Sequence, residues 1–458
     1  MAKRSCVQDR VATALSPDVL SHVIPFIPDA DSVINLLTSL QPIESLDDLD
    51  FLLQFLLQAR DADIDVWPTL QVSSKRKEAP AVLRAVAKYY SRIEVIQSVD
   101  LSWLHQISLP PNTTVHVTGL PYATAITDVQ TWYAELHHIP ITHITWGESK
   151  KSDRACLLPT LPQLTRLTGL TILCKQALRD LLPFVATSHV TELDIASAMS
   201  ENDFESNESF FGPAMVTHLV QWLQARPVRA FSFAWMDATD PALLLAVGAH
   251  QTLKKLSISC GTADTTLPFR HLQVPRALQS LSLDAVTFAI DPRSVECLGS
   301  ALETSNVSTF RLTDSVFKSK DDLKAFLASL ARMPLLTHVV LQGNKIRPAD
   351  CTWVADMLTA APRLRSLDLS ENAIGNVGVE TITKAIPTAP HLHTLRLNEV
   401  EVGRRAMANA LLKSAMAKPM REIQMTGNPF KKWEKVKIRE LIKQAPKDLT
   451  IVFDEPST

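Results

Sequence analysis

His137-His138, and Cys351 with His338 in the preceding element, are the side chains best placed by type to do chemistry in this sequence. Neighbouring imidazoles can ligate a metal, and a thiol near an imidazole can be converted to a nucleophilic thiolate. Neither grouping completes a site. The histidine pair precedes a strand near Ile141 and lacks a partner at metal spacing, so it reads as a surface pair. Nothing around Cys351 favours the thiolate, so it reads as a packed cysteine. The sequence has no G-x-x-x-x-G-K-S/T, G-x-G-x-x-G, G-x-S-x-G or H-E-x-x-H motif, and its 12 Gly leave little material for phosphate loops. No enzyme activity, metal or cofactor is expected.

Composition narrows the partners. The 458 residues carry 46 basic against 48 acidic side chains, a formal net charge of -2, which provides no whole-molecule field for a polyanion or an anionic membrane. With 46% hydrophobic and 21% charged residues the chain is ordinary globular material. Its length exceeds what one compact core usually organises, which implies two domains or a repeat array. Cys6, Cys156, Cys174, Cys260, Cys297 and Cys351 are scattered, which suggests reduced, mostly buried thiols and no disulfide framework. The N-terminus lacks the apolar run of a signal peptide, and the apolar stretch Leu52 to Leu57 is far below membrane-spanning length. A soluble, cytoplasmic protein is expected, with the nucleus as a second compartment. The sequons at Asn112, Asn207 and Asn306 then read as chance matches.

The elements that must carry function repeat. Leu364, Leu367, Leu369, Asn372 and Ile374 fit L-x-x-L-x-L-x-x-N-x-L, and steps of 28 residues recover Leu336/Val339/Leu341/Asn344/Ile346, Leu392/Leu395/Leu397 and Met420/Ile423/Met425/Asn428/Phe430. The same frame continues upstream more loosely, from Val307/Phe310/Leu312 back to Val190/Leu193/Ile195. Weaker candidates are Leu167/Leu170/Ile172, Ile141/Ile144/Trp146 and Val115/Val117. Leu449 to Phe453 reads as a terminal strand. Alternation around Leu367 and Leu369 predicts a one-face-buried strand, while Val354/Leu358 and Ile382/Ile386 mark the inner stripe of a helix. Each unit is therefore strand, turn, helix, and stacked units make a parallel sheet that must curve because helices are wider than strands.

This pattern resembles the ribonuclease-inhibitor type of leucine-rich-repeat protein, most closely at Leu367 to Gly378. The resemblance implies an α/β solenoid with a curved parallel sheet inside, helices on the convex side, and a protein partner on the concave sheet. Strand residues expected to face that partner are Lys255, Asp284, Arg311, His338, Gln342, Asp368, Arg396, Asn398, Glu422 and Gln424, with Asp368 and Arg396 placed to pair across adjacent strands. Their mixed signs favour protein over nucleic acid. The segment 197–211 breaks the period and reads as a surface loop. The C-terminal stretch from Lys431 to Lys447 reads as a basic amphipathic helix of the last repeat, with Ile438 and Ile442 inward.

Residues 15–60 are rich in Leu, Ile and Val without the repeat signature. Ser16-Pro17-Asp18 is a helix start, followed by a second helix after Asp29 and a third from Leu46 to about Ala59. Leu15-Ser-Pro-Asp-Val-Leu20 resembles the opening of an F-box, although Ser16 replaces its usual Pro and the closing Val-Cys-x-x-Trp is missing. That resemblance implies an all-helical adaptor-binding module with Leu15, Pro17, Val19, Leu20, Val23, Ile24 and Ile27 at the contact. The chain would then be a substrate receptor of a cullin-type ubiquitin ligase, monomeric outside its complex. A stand-alone scaffold or inhibitor, with these helices as an end cap, is the alternative. A Ran-type GTPase-activating protein comes last, because that family has an acidic tail after its repeats and this chain ends DEPST after a basic helix. The expected divisions are 1–72 for the module, 73–111 for a linker and first helical segment, and 112–458 for the repeats, most regular from Leu278.

Overall fold

The computed structural model describes residues 17–40, 48–62, 64–73, 80–97, 101–107, 109–119, 129–147, 151–196, 212–235, 240–260, 272–288, 292–403, 405–416 and 420–454. Two compact units divide the chain, one of Met1–Phe184 with Ser188–Val190, the other of Val185–Thr187 with Thr191–Thr458. Leu15 and the segment 197–211 lie outside the described residues.

The first unit opens with helices Pro17–Val23, Ala30–Leu40 and Asp48–Asp61, close to the three read from sequence. Asp29 starts the second one: its carboxylate accepts from the Ser32 N–H at 2.7 Å and the Ser32 hydroxyl at 2.9 Å. Val33, Ile34, Leu37 and Leu40 form its buried stripe, and Leu49, Leu52, Leu53 and Leu56 form that of the third helix. Five parallel strands follow in chain order: β1 (Thr69–Ser73), β2 (Arg92–Ile96), β3 (Thr114–Thr118), β4 (Ile141–Trp146) and β5 (Gly169–Ile172). The sheet thus starts at Thr69, ahead of the expected start at residue 112. The stretch 73–111 holds helix Pro80–Val86, β2 and helix Ser102–His105. Leu70, Val72, Ile93 and Val95 fill the inner face of β1 and β2, but buried Trp67 and Tyr90 stand where most later units carry Leu or Val, which hides the repeat in sequence.

Besides a separate two-stranded parallel pair, Thr287–Phe288 with Val316–Phe317, the second unit carries, among the described residues, ten parallel strands in its main sheet. They are β6 (Glu192–Asp194), β7 (Ala230–Trp235), β8 (Lys255–Cys260), β9 (Ser280–Asp284), β10 (Thr309–Thr313), β11 (His338–Val340), β12 (Ser366–Asp368), β13 (Thr394–Arg396), β14 (Glu422–Gln424) and β15 (Thr450–Val452). Their register aligns Leu256, Leu281, Phe310, Val339, Leu367, Leu395, Ile423 and Ile451 in one row across the sheet. The first seven are 2% exposed or less. Each fully buried side chain of this kind contributes about 1.5–3 kcal/mol, so the row alone is comparable to or larger than the net stability of a domain before chain entropy is set against it. Helices such as Cys351–Ala360 and Gly375–Ala385 close the other side of each unit through Val354/Leu358 and Ile382/Ile386, the stripes read from sequence. Gly378 permits the close approach of these two helices, since a Cβ there would lie 2.6 Å from Cys351 Sγ.

A polar ladder runs beneath the strand ends. Asn344 accepts from the Ser315 N–H at 2.9 Å and donates to the Leu312 carbonyl at 2.8 Å, both in the preceding repeat. Asn372 repeats this on Ile346 N–H (3.0 Å) and Leu341 O (2.7 Å), and Asn428 on Val400 N–H (3.1 Å) and Leu397 O (2.8 Å). Each asparagine satisfies backbone groups that the departing chain leaves open, in its own turn and in its neighbour's. Ser315 takes over the acceptor role one repeat earlier, receiving the Val286 N–H at 3.0 Å.

The thiols are less uniformly buried than expected. Cys260 and Cys351 are buried and Cys156 and Cys174 partly so, but Cys297 is exposed, because Val295, Leu298 and Leu302 occupy the inward face of its helix.

Candidate functional site

The strand residues that point away from the helices make up the candidate surface of the second unit. Burial alternates along strands such as β8 and β9, so every second side chain there is held outward at strand spacing of about 4.8 Å. Lys255, Arg311 and His338 are exposed, and Asp284, Gln342, Asp368, Arg396, Asn398, Glu422 and Gln424 are half-buried. All ten predicted residues therefore reach the surface. They fall into two groups.

Toward the C-terminal repeats the side chains bond to one another. Arg396 pairs with Glu422 at 3.1 Å, Glu422 accepts from Gln424 at 2.6 Å, and Gln424 accepts from the Asn398 amide at 3.1 Å. The Asn398 carbonyl oxygen accepts from the Thr426 N–H and hydroxyl, each at 2.9 Å. Asp368 does not take Arg396 as its partner. It accepts from the Ser370 N–H at 3.0 Å, within its own turn. Arg396 thus uses the neighbouring strand on the other side. Further back, Asp284 accepts from Ser259 at 3.1 Å and from Thr313, while Gln342 donates to Glu371 at 2.7 Å. Lys255 and Arg311 have no side-chain partner among the described residues, and His338 meets the Thr337 hydroxyl at 2.8 Å.

Sequence reading missed the two borders of this surface. Beyond the strand ends, Ala285, Asp314, Gly343, Glu371, Glu399 and Gly427 all have positive φ, between 48° and 70°. The turn takes a left-handed residue in these six consecutive units, which Gly meets without strain and Asp or Glu meets at a cost of about 1 kcal/mol. Carboxylates gather there, and partial desolvation together with the neighbouring Asp284 and Glu371 pushes the Asp314 carboxyl above its usual range. At the strand starts lies a row that includes Arg229, Lys254, Thr337, Arg365, His393 and Arg421, each joined to the next strand by backbone hydrogen bonds. Steps of 28 residues from Thr337 to Arg421 would have found it.

The residues first singled out for chemistry do not assemble. The His137 ring lies tilted at 42° beside that of His138, with centroids 3.7 Å apart, and no group of three or more His, Cys, Asp or Glu could hold a metal among the described residues. Burial, then Asp350, pushes the Cys351 thiol up to about 12, so it stays protonated. It donates to the Arg347 carbonyl at 3.4 Å.

Comparison with known proteins meets this geometry at one repeat. A family model described as Leucine Rich repeat matches residues 362–382, which span β12, its turn and the start of the following helix. The chain has a leucine-rich-repeat fold. Two solved structures are similar to it at low identity. The leucine-rich repeat-containing protein LegL7 from Legionella pneumophila is 18% identical, with 72% of this chain and 97% of that chain covered and a TM-score of 0.39. Actin-binding site 2 of leiomodin-1 is 17% identical, with 34% and 90% covered and a TM-score of 0.29. No curated protein matches the chain.

The N-terminal helices of this repeat protein sort their predicted contacts by exposure. Leu20 and Ile24 are buried in the module's own core, at 3% and 0% exposed, which removes them from any contact surface. Val19 and Val23, four residues apart, are 43% and 47% exposed, and Phe26 just beyond them is 86% exposed. Pro17 opens the first helix and Ile27 is half-buried, its carbonyl accepting from the Trp67 indole at 2.7 Å.

Proposed function

We propose that this chain is a protein-binding scaffold that acts as substrate receptor of a cullin-type ubiquitin ligase. Its N-terminal helices dock on the adaptor subunit and the outward strand face of its repeats holds the target. The mechanism is proximity, and the chain makes and breaks no bond itself. The observation that carries the adaptor half is the apolar row Val19, Val23 and Phe26, which an isolated helical module has no reason to leave in water. The target half is supported by charged and amide side chains fixed at strand spacing, several of them locked by the Arg396–Glu422–Gln424–Asn398 network.

A second reading, a stand-alone scaffold or inhibitor capped by the same helices, draws on different contacts. Trp67 bonds to Ile27 and packs 4.9 Å from Tyr90, and Lys88 pairs with Asp48, so the helices are tied to the first strand–helix units. A cap would need such ties. Co-expression with the ligase adaptor separates the two readings. The unaltered chain is expected to retain the adaptor through purification, and Val19→Glu with Phe26→Glu, both on exposed side chains, to lose it. Adaptor missing from both would leave the scaffold without its ligase link.

A further inference from the structure

The strand-start border of the second unit contains a cationic cleft. Arg363, Arg365, His391 and Thr337 surround a volume of about 320 Å³. Arg363, Arg365 and His391 are exposed, and neither arginine has an ion-pair partner among the described residues. The backbone fixes their arrangement: His393 N–H bonds to the Arg365 carbonyl at 2.7 Å and Arg421 N–H to the His393 carbonyl at 2.8 Å. Arg421 therefore stands two strands beyond Arg365, about 10 Å away. Uncompensated guanidinium groups lining a cleft are a poor use of surface unless an anion enters it, and a guanidinium fork matches a carboxylate with two parallel hydrogen bonds.

We propose that this cleft binds an acidic segment of a protein partner, with carboxylates on Arg363 and Arg365 and the chain running on toward Arg421. This rests on the reading of the repeats as a protein-binding scaffold. A nucleic acid fits less well. Between Lys254 and Arg365 the same border carries the neutral Gln279, Ser308 and Thr337, and the opposite border carries four carboxylates, Asp314, Glu371, Glu399 and Glu401, against the two cations Lys345 and Arg347. A phosphate backbone would find cations over a short stretch only and meet repulsion across the strands, whereas a narrow acidic peptide stays on the cationic side.

Fluorescence anisotropy with a labelled hexaglutamate peptide tests the assignment. Arg363→Glu with Arg365→Glu is expected to weaken binding about tenfold or more. Lys324→Glu with Lys413→Glu, an equal charge change on exposed helix positions, is expected to leave it unchanged. Equal weakening by both pairs, no binding by the unaltered chain, or tighter binding of an oligothymidylate of the same length would overturn the proposal. If a native partner is later recovered undiminished by the arginine variant, the cleft is wrong and the scaffold reading stands.

Discussion

Asp314 shows how one residue records two demands. Its φ of 48° answers the turn that six consecutive units make, and its carboxyl is raised by partial desolvation and by Asp284 and Glu371. A carboxyl raised on folding weakens the fold while ionised, and that loss disappears as pH falls through the folded value. Asp314→Asn is therefore expected to raise the melting temperature modestly at pH 7. The gain should shrink as pH is lowered toward the ordinary carboxylate range, leaving only the preference of Asn for left-handed backbone. Thermal melts across that window check the sign, and a gain that grows on acidification would contradict it. At this scale sequence was a partial guide. It identified Asn344, Asn372 and Asn428 as turn residues, and it identified ten outward residues, eight in strands and two, Gln342 and Asn398, just past strand ends. It paired Arg396 with the wrong neighbour, because two flanking strands offer carboxylates at equal spacing and only side-chain packing chooses between Asp368 and Glu422.

Between elements, the ladder of asparagines joins one repeat to the next. Asn372→Ala removes the acceptor of the buried Ile346 N–H and the donor to the buried Leu341 carbonyl, and Ala cannot replace either. A loss of about 2–4 kcal/mol in chemical denaturation is expected, with the slope of the transition unchanged if the repeats still unfold together. A loss below about 0.5 kcal/mol would mean that water enters and satisfies these groups. The regular units were legible because a strict 28-residue step fixes the same apolar set in strand and helix. Units near Thr69 and Arg92 were not. They carry Trp67 and Tyr90 where most later units carry Leu or Val and depart from the 28-residue step, and β3 and β4 shift register where the Thr142 hydroxyl replaces a ladder bond to Val115. The first unit builds the same strand–helix alternation from unequal pieces, so period counting fails where packing succeeds.

At the largest scale, the binding face proposed for the second unit, its outward strand face, is flanked by a cationic border at the strand starts and a predominantly acidic one beyond the strand ends. Such segregated charge orients a partner more than it tightens its hold, and it should make association sensitive to salt. The fold class and the division of labour between helices and strands were open to sequence reading. The borders were not, since their residues lie outside the consensus positions that define a repeat. Site-specific photocrosslinking tests the central claim most directly. A benzophenone amino acid placed at His338, exposed on the strand face, is expected to capture the bound protein target, while the same group at Thr352, exposed on helix Cys351–Ala360, captures none. Capture from Thr352 with none from His338 would place binding on the helices and contradict the account.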